Sequence, residues 1–563
     1  MNMREHRRPL LPAALCAALL LMALAFAVSR LPLDSSAQSA AARVKERKDA
    51  ARERKEPAQP DERNDGASKP APPDDASTIA NSPADSDLAR QIGREIDTDE
   101  FSTARWGILV QSMRDGRVLY ARNASQPITP ASNMKVYTTA IALDLLGAGY
   151  RWRTSVYANA QPDASGTIAG DLVLYGRGAP DFSSEKSRDS PAAMAQLADA
   201  LYRRGLRRVR GRLIGDESYF RGEPLGDGWL WNDVQWYFGA EVSALTVNDN
   251  AVTINVRPAG KTTSPNAIKI EPDTDYVHIH NETNVVESGA PATLGITRGL
   301  SDNEVRIWGD FPAASRGLSA RLSIHQPALW AAQLFRQMLK ERGITVEGET
   351  VVRDARSHTE KDGFDPSSSV ELAAVSGKSL GEIVRATNKE SINLNAELIL
   401  RTLGKERGPL VPDPDPKRMR ERGDDQAGLA VIRQWLEHAG IQTGALALHD
   451  GSGLSRLDLV TPEATVKLLM SIARTPAATV FRDSLPVAGR DGTLKFRLRS
   501  AASGRILAKT GTLTYINSLS GYAVTADDEP LAFSIFCNNE TSEAKATRPI
   551  DAIATLLATY SQR

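Results

Sequence analysis

The sequence is poor in cysteine and in clustered histidine. Its 563 residues contain two cysteines, Cys16 and Cys537. If Cys16 is removed with an N-terminal segment, no intramolecular disulfide can form, so a disulfide-stapled fold is not expected. The 7 histidines are scattered, and none has a strong zinc-binding spacing. We therefore predict no metal site.

The chain also lacks a net charge of either sign. It has 69 Lys and Arg residues against 69 Asp and Glu residues. Exact balance argues against a nucleic-acid-binding protein, which usually carries a basic face. With 41% apolar and 25% charged residues, the composition excludes a wholly disordered chain and a multi-span membrane protein. At about 150 residues per domain, the length predicts three to four domain-sized units.

The one long uncharged run lies at the N-terminus. Arg4, Arg7 and Arg8 precede an apolar stretch at 10–28, and small residues follow it. This order is typical of a secretory signal, although the run is also long enough to anchor the chain in a bilayer. We predict that 1–37 is a signal peptide or membrane anchor. Either reading implies a periplasmic or other extracytoplasmic location.

A polar segment follows at 38–95. Charges of both signs alternate first, and prolines among Ala, Ser and Asp come next. Such a composition offers little apolar surface to bury, so we predict a disordered linker.

Patterns at the two ends of the remaining chain predict a single α/β (α+β) domain. Strand-like runs begin at Trp106 and Arg117 and recur after 506, with helical patterns between them. We assign 96–155 and 371–563 to this discontinuous catalytic domain. The middle, 156–370, has short strand-like runs separated by Gly, Pro and Asn, with helices near 192–205 and 327–342. We interpret it as a β-rich insertion.

The first chemical motif is Ser132-Asn-Met-Lys135, which follows Thr129-Pro130 at a predicted helix start. Residues three apart share a helix face. A serine hydroxyl needs a neighbouring base to act as a nucleophile, and a desolvated lysine near another cation can serve as one. We predict Ser132 as nucleophile and Lys135 as base, with an exposed helix start as the alternative.

The second motif is Ser391-Ile-Asn393 before a helical pattern. Ser391 could pass a proton between Lys135 and a leaving amine, and Asn393 could hold a substrate amide and the Lys135 amine. The alternative is a serine that only caps the following helix.

The third motif, at 509–512, lies on a predicted strand. We predict that Lys509 supplies a fixed positive charge and Thr510 a hydroxyl for an anionic substrate terminus. Gly511 would let a substrate lie against the strand. The Thr512 N–H would form an oxyanion hole with that of Ser132. The alternative is an ordinary edge strand.

Together these motifs resemble those of serine β-lactamases and penicillin-binding proteins. The chain resembles more specifically the D-alanyl-D-alanine carboxypeptidase/endopeptidase family, low-molecular-mass class C penicillin-binding proteins that include the bacterial DacB enzymes. The resemblance spans about 100–560. It is carried by the stretches 127–135, 242–250, 388–397, 450–456 with 460–462, 484–493 and 507–512. Two positions differ from the family pattern. Ile392 stands where the family often has Asp, and the sequence Gly178-Ala179-Pro180 stands where Gly-Asp-Pro is more usual.

The resemblance implies a β-lactamase/transpeptidase-like catalytic domain split by one or two extra domains. It implies a serine peptidase that acts on peptidoglycan stem peptides and cross-links through an acyl-enzyme on Ser132, without a cofactor and with β-lactams as covalent inhibitors. It leaves open whether carboxypeptidase or endopeptidase activity dominates, and the oligomeric state. A β-lactamase or esterase on the same fold, or a catalytically silent wall-binding scaffold, are the alternatives.

His278 and His280 alternate on a predicted strand and so share a face. They could begin a metal site, but with no third or fourth ligand nearby an exposed polar strand is the favoured interpretation.

Overall fold

A computed structural model of the chain describes residues 82–184, 192–260, 262–355, 364–409, 423–541 and 543–562. The predicted signal or anchor at 1–37 and the first part of the predicted linker lie outside these ranges. Within them, no helix combines the length and apolar character needed to cross a bilayer.

Helices and strands alternate along the described chain. The helices are α1 Pro83–Ile96, α2 Met134–Leu146, α3 Ala193–Arg203, α4 Pro327–Glu341, α5 Leu380–Glu390, α6 Asn393–Arg407, α7 Asp424–His438, α8 Pro462–Ile472, α9 Ala478–Ser484 and α10 Glu543–Thr559. The strands are β1 Arg105–Ser112, β2 Val118–Arg122, β3 Arg151–Ala158, β4 Thr167–Ile168, β5 Leu172–Tyr175, β6 Arg208–Val209, β7 Leu213–Arg221, β8 Ala251–Arg257, β9 Ala267–Glu271, β10 His278–Val286, β11 Gly295–Arg298, β12 Glu304–Pro312, β13 Leu318–Ser323, β14 Thr345–Val346, β15 Thr350–Ala355, β16 Val370–Ser379, β17 Ile506–Leu513, β18 Ile516–Val524 and β19 Pro530–Asn538.

Strands from the two ends of the chain form one five-stranded sheet in the order β17-β18-β19-β1-β2. β1 and β19 are antiparallel neighbours, from Arg105 opposite Asn538 to Ser112 opposite Leu531. The predicted strands at both ends, and the α/β fold class, are therefore confirmed.

Helices cover both faces of this sheet because its side chains alternate between two apolar layers. Ile108 and Val110 pack in the layer that contains residues of α1 and α10. Leu109 points the other way, into the core that contains residues of α2 and α8. Because the sheet is buried on both faces, most residues along its strands are apolar.

The middle of the chain is rich in β-structure, as predicted. It contains a five-stranded sheet in the order β15-β7-β5-β3-β16 and three-stranded sheets in the orders β10-β12-β11, β13-β8-β9 and β14-β6-β4. The predicted boundaries at 155/156 and 370/371 fall within or beside paired strands, because β3 pairs with both β5 and β16. β3 and β16 thus join the sheet of the middle region.

The linker prediction is wrong at its C-terminal end, where α1 forms. Ser82 caps the helix by accepting the N–H of Asp85 at 3.1 Å, and Pro83 occupies the first turn, where proline is well tolerated. The buried Asp85 carboxylate accepts the Tyr560 hydroxyl and lies 3.5 Å from the Arg117 guanidinium. The helix buries a regular apolar stripe formed by Leu88, Ala89, Ile92 and Ile96.

We expect Ile92→Ala to lower the free energy of unfolding by about 2–5 kcal/mol, because it opens a cavity in a packed layer. Ile92 is completely buried, whereas Arg94 on the same helix is exposed. Chemical denaturation of Ile92→Ala beside the control Arg94→Ala measures the difference. Equal stability of the two variants would mean that this segment behaves as a linker after all.

Candidate active site

Ser132 lies in a single 3₁₀ turn, Ala131–Asn133, that leads directly into α2. The regular helix therefore begins at Met134, later than the predicted start at Thr129-Pro130. Ala131 has a left-handed backbone, with φ of 49°, which bends the chain just before Ser132. The Asn133 side chain fixes the turn to the terminal sheet by donating to the Ser518 hydroxyl at 2.5 Å.

The Lys135 amine is completely buried and donates to three acceptors from different parts of the chain. These are the Ser132 hydroxyl at 3.0 Å, the Asn393 Oδ1 at 2.6 Å and the Ser452 carbonyl at 2.7 Å. Three acceptors satisfy the three donors of an ammonium group. The first two contacts join residues that the sequence analysis proposed.

Ser391 lies between α5 and α6 in a left-handed conformation, with φ of 59°. It ends α5 by donating its backbone N–H to the Thr387 carbonyl. The alternative interpretation, a serine that only caps the following helix, is wrong, because Ile392 is the residue at the start of α6 and no side chain caps it. Its hydroxyl accepts from the Lys509 amine at 2.9 Å. Lys509 also donates to the Thr510 carbonyl at 2.7 Å and is completely buried. The three motifs thus meet in one cleft.

The strand that carries the third motif, β17, is an edge strand of the terminal sheet. Ala508 donates its N–H to the Pro486 carbonyl, away from β18. Because N–H direction alternates along an antiparallel strand, the N–H groups of Thr510 and Thr512 also point to this open edge. The orientation is compatible with the predicted oxyanion hole.

Gly511 packs closely against the Ser132 turn. A Cβ atom there would lie 2.2 Å from the Ser518 Oγ and 2.8 Å from the Pro130 carbonyl oxygen. The sequence analysis explained this glycine by access for substrate. The structure gives a packing reason as well, because only glycine lets β17 approach the residues around Ser132.

Burial lowers the pKa of Lys135 to about 8, and the negative charges of Asp450, Glu397 and Asp458 oppose this effect. The sequence analysis invoked both burial and a nearby cation, but no cation is among the causes that lower the pKa of Lys135. Burial and the charge of Lys135 instead hold the pKa of Lys509 well below its usual value. The prediction of a fixed positive charge on Lys509 is therefore not supported by its surroundings.

Several groups in the site lie outside the three sequence motifs. The Ser452 carbonyl accepts from Lys135, the Phe238 carbonyl accepts from the Asn393 Nδ2 at 2.8 Å, and the Thr493 hydroxyl lies 2.7 Å from that of Thr510. Stretches 450–456 and 484–493 were noted for their resemblance, without a role. Phe238 belongs to the β-rich middle, which therefore reaches the site.

The two histidines on β10 both contact Glu304 on the neighbouring β12. The His278 Nδ1 lies 2.8 Å and the His280 Nε2 2.6 Å from its carboxylate oxygens. All three side chains are largely exposed. Within the described ranges no group of three or more His, Cys, Asp or Glu is arranged to hold a metal ion.

Residues 88–560 match the D-Ala-D-Ala carboxypeptidase 3 (S13) family. The chain belongs to this family. It is 34% identical over 467 residues to a D-alanyl-D-alanine carboxypeptidase of Actinomadura sp. (strain R39), with 81% of each chain covered. It is 23% identical over 450 residues to the D-alanyl-D-alanine carboxypeptidase DacB of Haemophilus influenzae, covering 78% of this chain and 88% of the relative.

A crystal structure of penicillin binding protein 4 from Haemophilus influenzae has the same fold. It matches with a TM-score of 0.68 at 22% identity, over 84% of this chain and 97% of that one. The predicted family, the serine peptidase class and the D-Ala-D-Ala carboxypeptidase activity of that class are thereby confirmed.

We expect Gly511→Ala to lower the free energy of unfolding by about 1–3 kcal/mol, because the added methyl group overpacks the contact with the Ser132 turn. A suitable control is Gly444→Ala, since nothing lies within 4 Å of a Cβ atom at Gly444. Thermal unfolding of both variants measures the effect. If Gly511 serves only to admit substrate, the Gly511→Ala variant will be as stable as the wild type.

Proposed function

We propose that this enzyme removes the terminal D-alanine of peptidoglycan stem peptides through an acyl-enzyme on Ser132. The observation that carries the assignment is the 3.0 Å contact between the Ser132 Oγ and the Lys135 Nζ. Lys135 is buried and its pKa is about 8. An amine with this pKa is neutral in an appreciable fraction of molecules near neutral pH, so it can accept the serine proton.

In the acylation step, the Ser132 Oγ attacks the carbonyl carbon of the penultimate D-alanine while its proton passes to the Lys135 Nζ. The N–H groups of Ser132 and Thr512 stabilise the negative charge that develops on the carbonyl oxygen. When the C–N bond breaks, the leaving amine of D-alanine takes a proton. We assign that transfer to the Ser391 hydroxyl, 2.9 Å from the Lys509 amine. It gives its proton to the leaving amine and takes in return the proton that Lys135 received from Ser132, so Lys135 is neutral again.

The substrate carboxylate binds beside Lys509 and Thr510. Lys509 makes no hydrogen bond to a carboxylate within the described part of the chain, and its pKa is lowered by burial and by Lys135. An anion at this position favours the protonated amine, so substrate binding itself supplies the partner that Lys509 lacks. Water then attacks the ester on Ser132, with Lys135 again as base, and releases the shortened peptide.

The same serine accounts for inhibition by β-lactams. Their strained amide presents a carbonyl to Ser132, and opening of the ring leaves an ester. Penicillin binding protein 4 of Haemophilus influenzae has been crystallised in complex with a β-lactam. We extend β-lactam binding to this chain because Ser132, Lys135 and Asn393 are joined by hydrogen bonds into one group.

We also propose that the β-rich middle, 156–370, selects substrates beside the site rather than supplying a reacting group. The Phe238 carbonyl accepts from Asn393, which supports a position of this region beside the site.

A cross-link between stem peptides has the same D-alanyl carbonyl as a stem terminus, so D,D-endopeptidase activity is the second candidate. Digestion of monomeric and cross-linked muropeptides distinguishes the two activities.

The predicted signal or anchor at 1–37 belongs to this proposal as well. Peptidoglycan lies outside the cytoplasm, so an enzyme that trims it needs export. An N-terminal run of apolar residues at 10–28 provides the expected signal. Sequencing the N-terminus of the mature protein from a membrane-free fraction separates a cleaved signal from a retained anchor.

The nucleophile is tested by Ser132→Ala. We expect this variant to lose both covalent labelling by penicillin and release of D-alanine, because within the described residues Ser132 has the only hydroxyl that is hydrogen-bonded to the Lys135 amine. Ser102→Ala, at an exposed position, is the control and should keep both. Intact-mass spectrometry measures the labelling. Labelling of Ser132→Ala at another residue would show that Ser132 is not the nucleophile.

The base is tested by the pH dependence of acylation. Only neutral Lys135 accepts a proton, so the rate constant should rise with pH through a midpoint near 8, the pKa of Lys135. Lys135→Arg should be almost inactive, because a guanidinium does not deprotonate at working pH. Lys467→Arg, at a half-exposed ion pair with Glu463, is the matched control. Near-normal acylation by Lys135→Arg would remove Lys135 from this role.

A further inference from the structure

A buried carboxylate organises the loop that accepts from Lys135. Asp450 is almost completely buried and accepts five hydrogen bonds. Three come from backbone N–H groups, those of Ser452 at 3.1 Å, Gly453 at 2.6 Å and Ser455 at 2.8 Å. The others come from the Ser452 hydroxyl at 3.1 Å and the Trp229 Nε1 at 2.9 Å. Five donors from the loop and from Trp229 thus converge on this one carboxylate.

This loop, residues 451–455, meets the Ser132–Lys135 pair in two places. The Ser452 carbonyl accepts from the Lys135 amine at 2.7 Å. Gly453, with φ of 78°, lies so close to the Ser132 turn that a Cβ atom would be 1.8 Å from the Ala131 carbonyl oxygen. The loop therefore contacts both the base and the backbone next to the nucleophile. Asp450 itself makes neither contact and can act only through the loop.

Two more buried carboxylates lie near Asp450, and the pKa of each is raised. Glu397 accepts the Gly451 N–H at 3.0 Å, and burial together with the charge of Asp450 raises its pKa to about 8. Asp458 accepts the His449 N–H at 2.6 Å, and the same two causes raise its pKa well above the usual value. Asp450 thus acts on both neighbouring carboxylates and raises the pKa of each.

The cations around these carboxylates differ in position. Arg401 on α6 acts on Glu397 and lowers its pKa. Lys135 on α2 faces the carboxylates, and Asp450 is the largest of the charges that raise its pKa. Lys509 on β17 contacts Ser391 on the other side of the cleft. Asp450 is thus the principal negative charge that acts on the base.

We propose that Asp450 is a positioning residue of the acylation step, which holds loop 451–455 against Lys135 and the Ser132 turn and supplies the charge that balances the Lys135 ammonium. The proposal rests on the proposed roles of Ser132 and Lys135. It gives Asp450 two separable effects. The loop contacts set the maximal rate constant of acylation, and the charge sets the pH at which Lys135 loses its proton.

The direction of the pH effect follows from the sign of the charge. A negative charge nearby stabilises protonated Lys135 and so raises its pKa. Removing that charge lowers the pKa of Lys135, and the neutral base then exists at lower pH. A variant without the Asp450 charge should therefore reach its half-maximal acylation rate constant at lower pH than the wild type, even though its maximal rate constant is smaller.

The test measures the rate constant for acylation of Ser132 by penicillin, by stopped-flow kinetics across about pH 6–10, in the full-length enzyme. For Asp450→Asn we expect a maximal rate constant lower by about tenfold or more, because misplacement of a reacting group is costly. We expect its midpoint to move down by up to about one pH unit, because Glu397 and Asp458 ionise more readily without the Asp450 charge and replace part of it. Glu397→Gln should move the midpoint less, because Asp450 is the largest of the charges that raise the pKa of Lys135.

A second control separates the proposal from a loss of stability. Asp216 in the β-rich middle is also fully buried and accepts from Ser218 and Arg353. Asp216→Asn should destabilise the protein without moving the midpoint. If Asp450→Asn keeps the wild-type midpoint, as Asp216→Asn does, Asp450 has a structural role only and the proposal is overturned.

Asp450→Glu keeps the proposal testable if Asp450→Asn does not fold. It retains the charge but displaces the carboxylate from the loop donors, so the rate constant should fall while the midpoint stays. A wild-type rate constant in this variant overturns the proposal. Failure of the underlying assignment has a different signature, because wild-type enzyme that penicillin does not label at Ser132 contradicts the proposed function itself.

Discussion

Two amines without access to water define the site. An ammonium group that is buried loses its hydration. The protein must then supply hydrogen-bond acceptors in place of water, or the pKa falls and the amine loses its proton. Lys135 and Lys509 are both completely buried, but their surroundings differ. The Lys135 amine donates to three acceptors and lies near buried carboxylates that raise its pKa. The Lys509 amine donates only to a hydroxyl and a carbonyl within the described residues. This asymmetry agrees with the roles that we propose, in which Lys135 is the base and Lys509 binds the substrate carboxylate.

The acceptors can converge only because the backbone segments approach closely. Gly511 brings the edge strand against the turn that carries Ser132, and Gly453 brings loop 451–455 against the same turn from another direction. Ala131 and Ser391 have left-handed backbones that a side chain disfavours. Ala131 is completely buried, so packing supports its backbone conformation, whereas Ser391 is half-buried and its hydroxyl accepts from Lys509. Precise placement of the nucleophile is thus a property of three chain segments together.

The sequence indicated the side chains that we propose as reacting groups, but not their whole environment. Ser132, Lys135, Asn393 and Lys509 could be found because short motifs and strand or helix periodicity place them. The carbonyls of Ser452 and Phe238 could not, since a backbone acceptor has no residue signature. Helix α1 was missed for a different reason. Its start, Ser82-Pro83, is a recognisable helix signal, but the polar composition before it extended the predicted linker too far.

The pairing of β1 with β19 has a consequence for how the protein is made. Arg105 stands opposite Asn538, so the first strand of the terminal sheet has no partner on that side until almost the entire chain has been synthesised. Contacts between such distant residues form late, because closing the intervening loop costs entropy. β17, which carries Lys509, belongs to the same sheet. A chain that ends before residue 506 therefore lacks both the strand of the third motif and the β19 partner of β1.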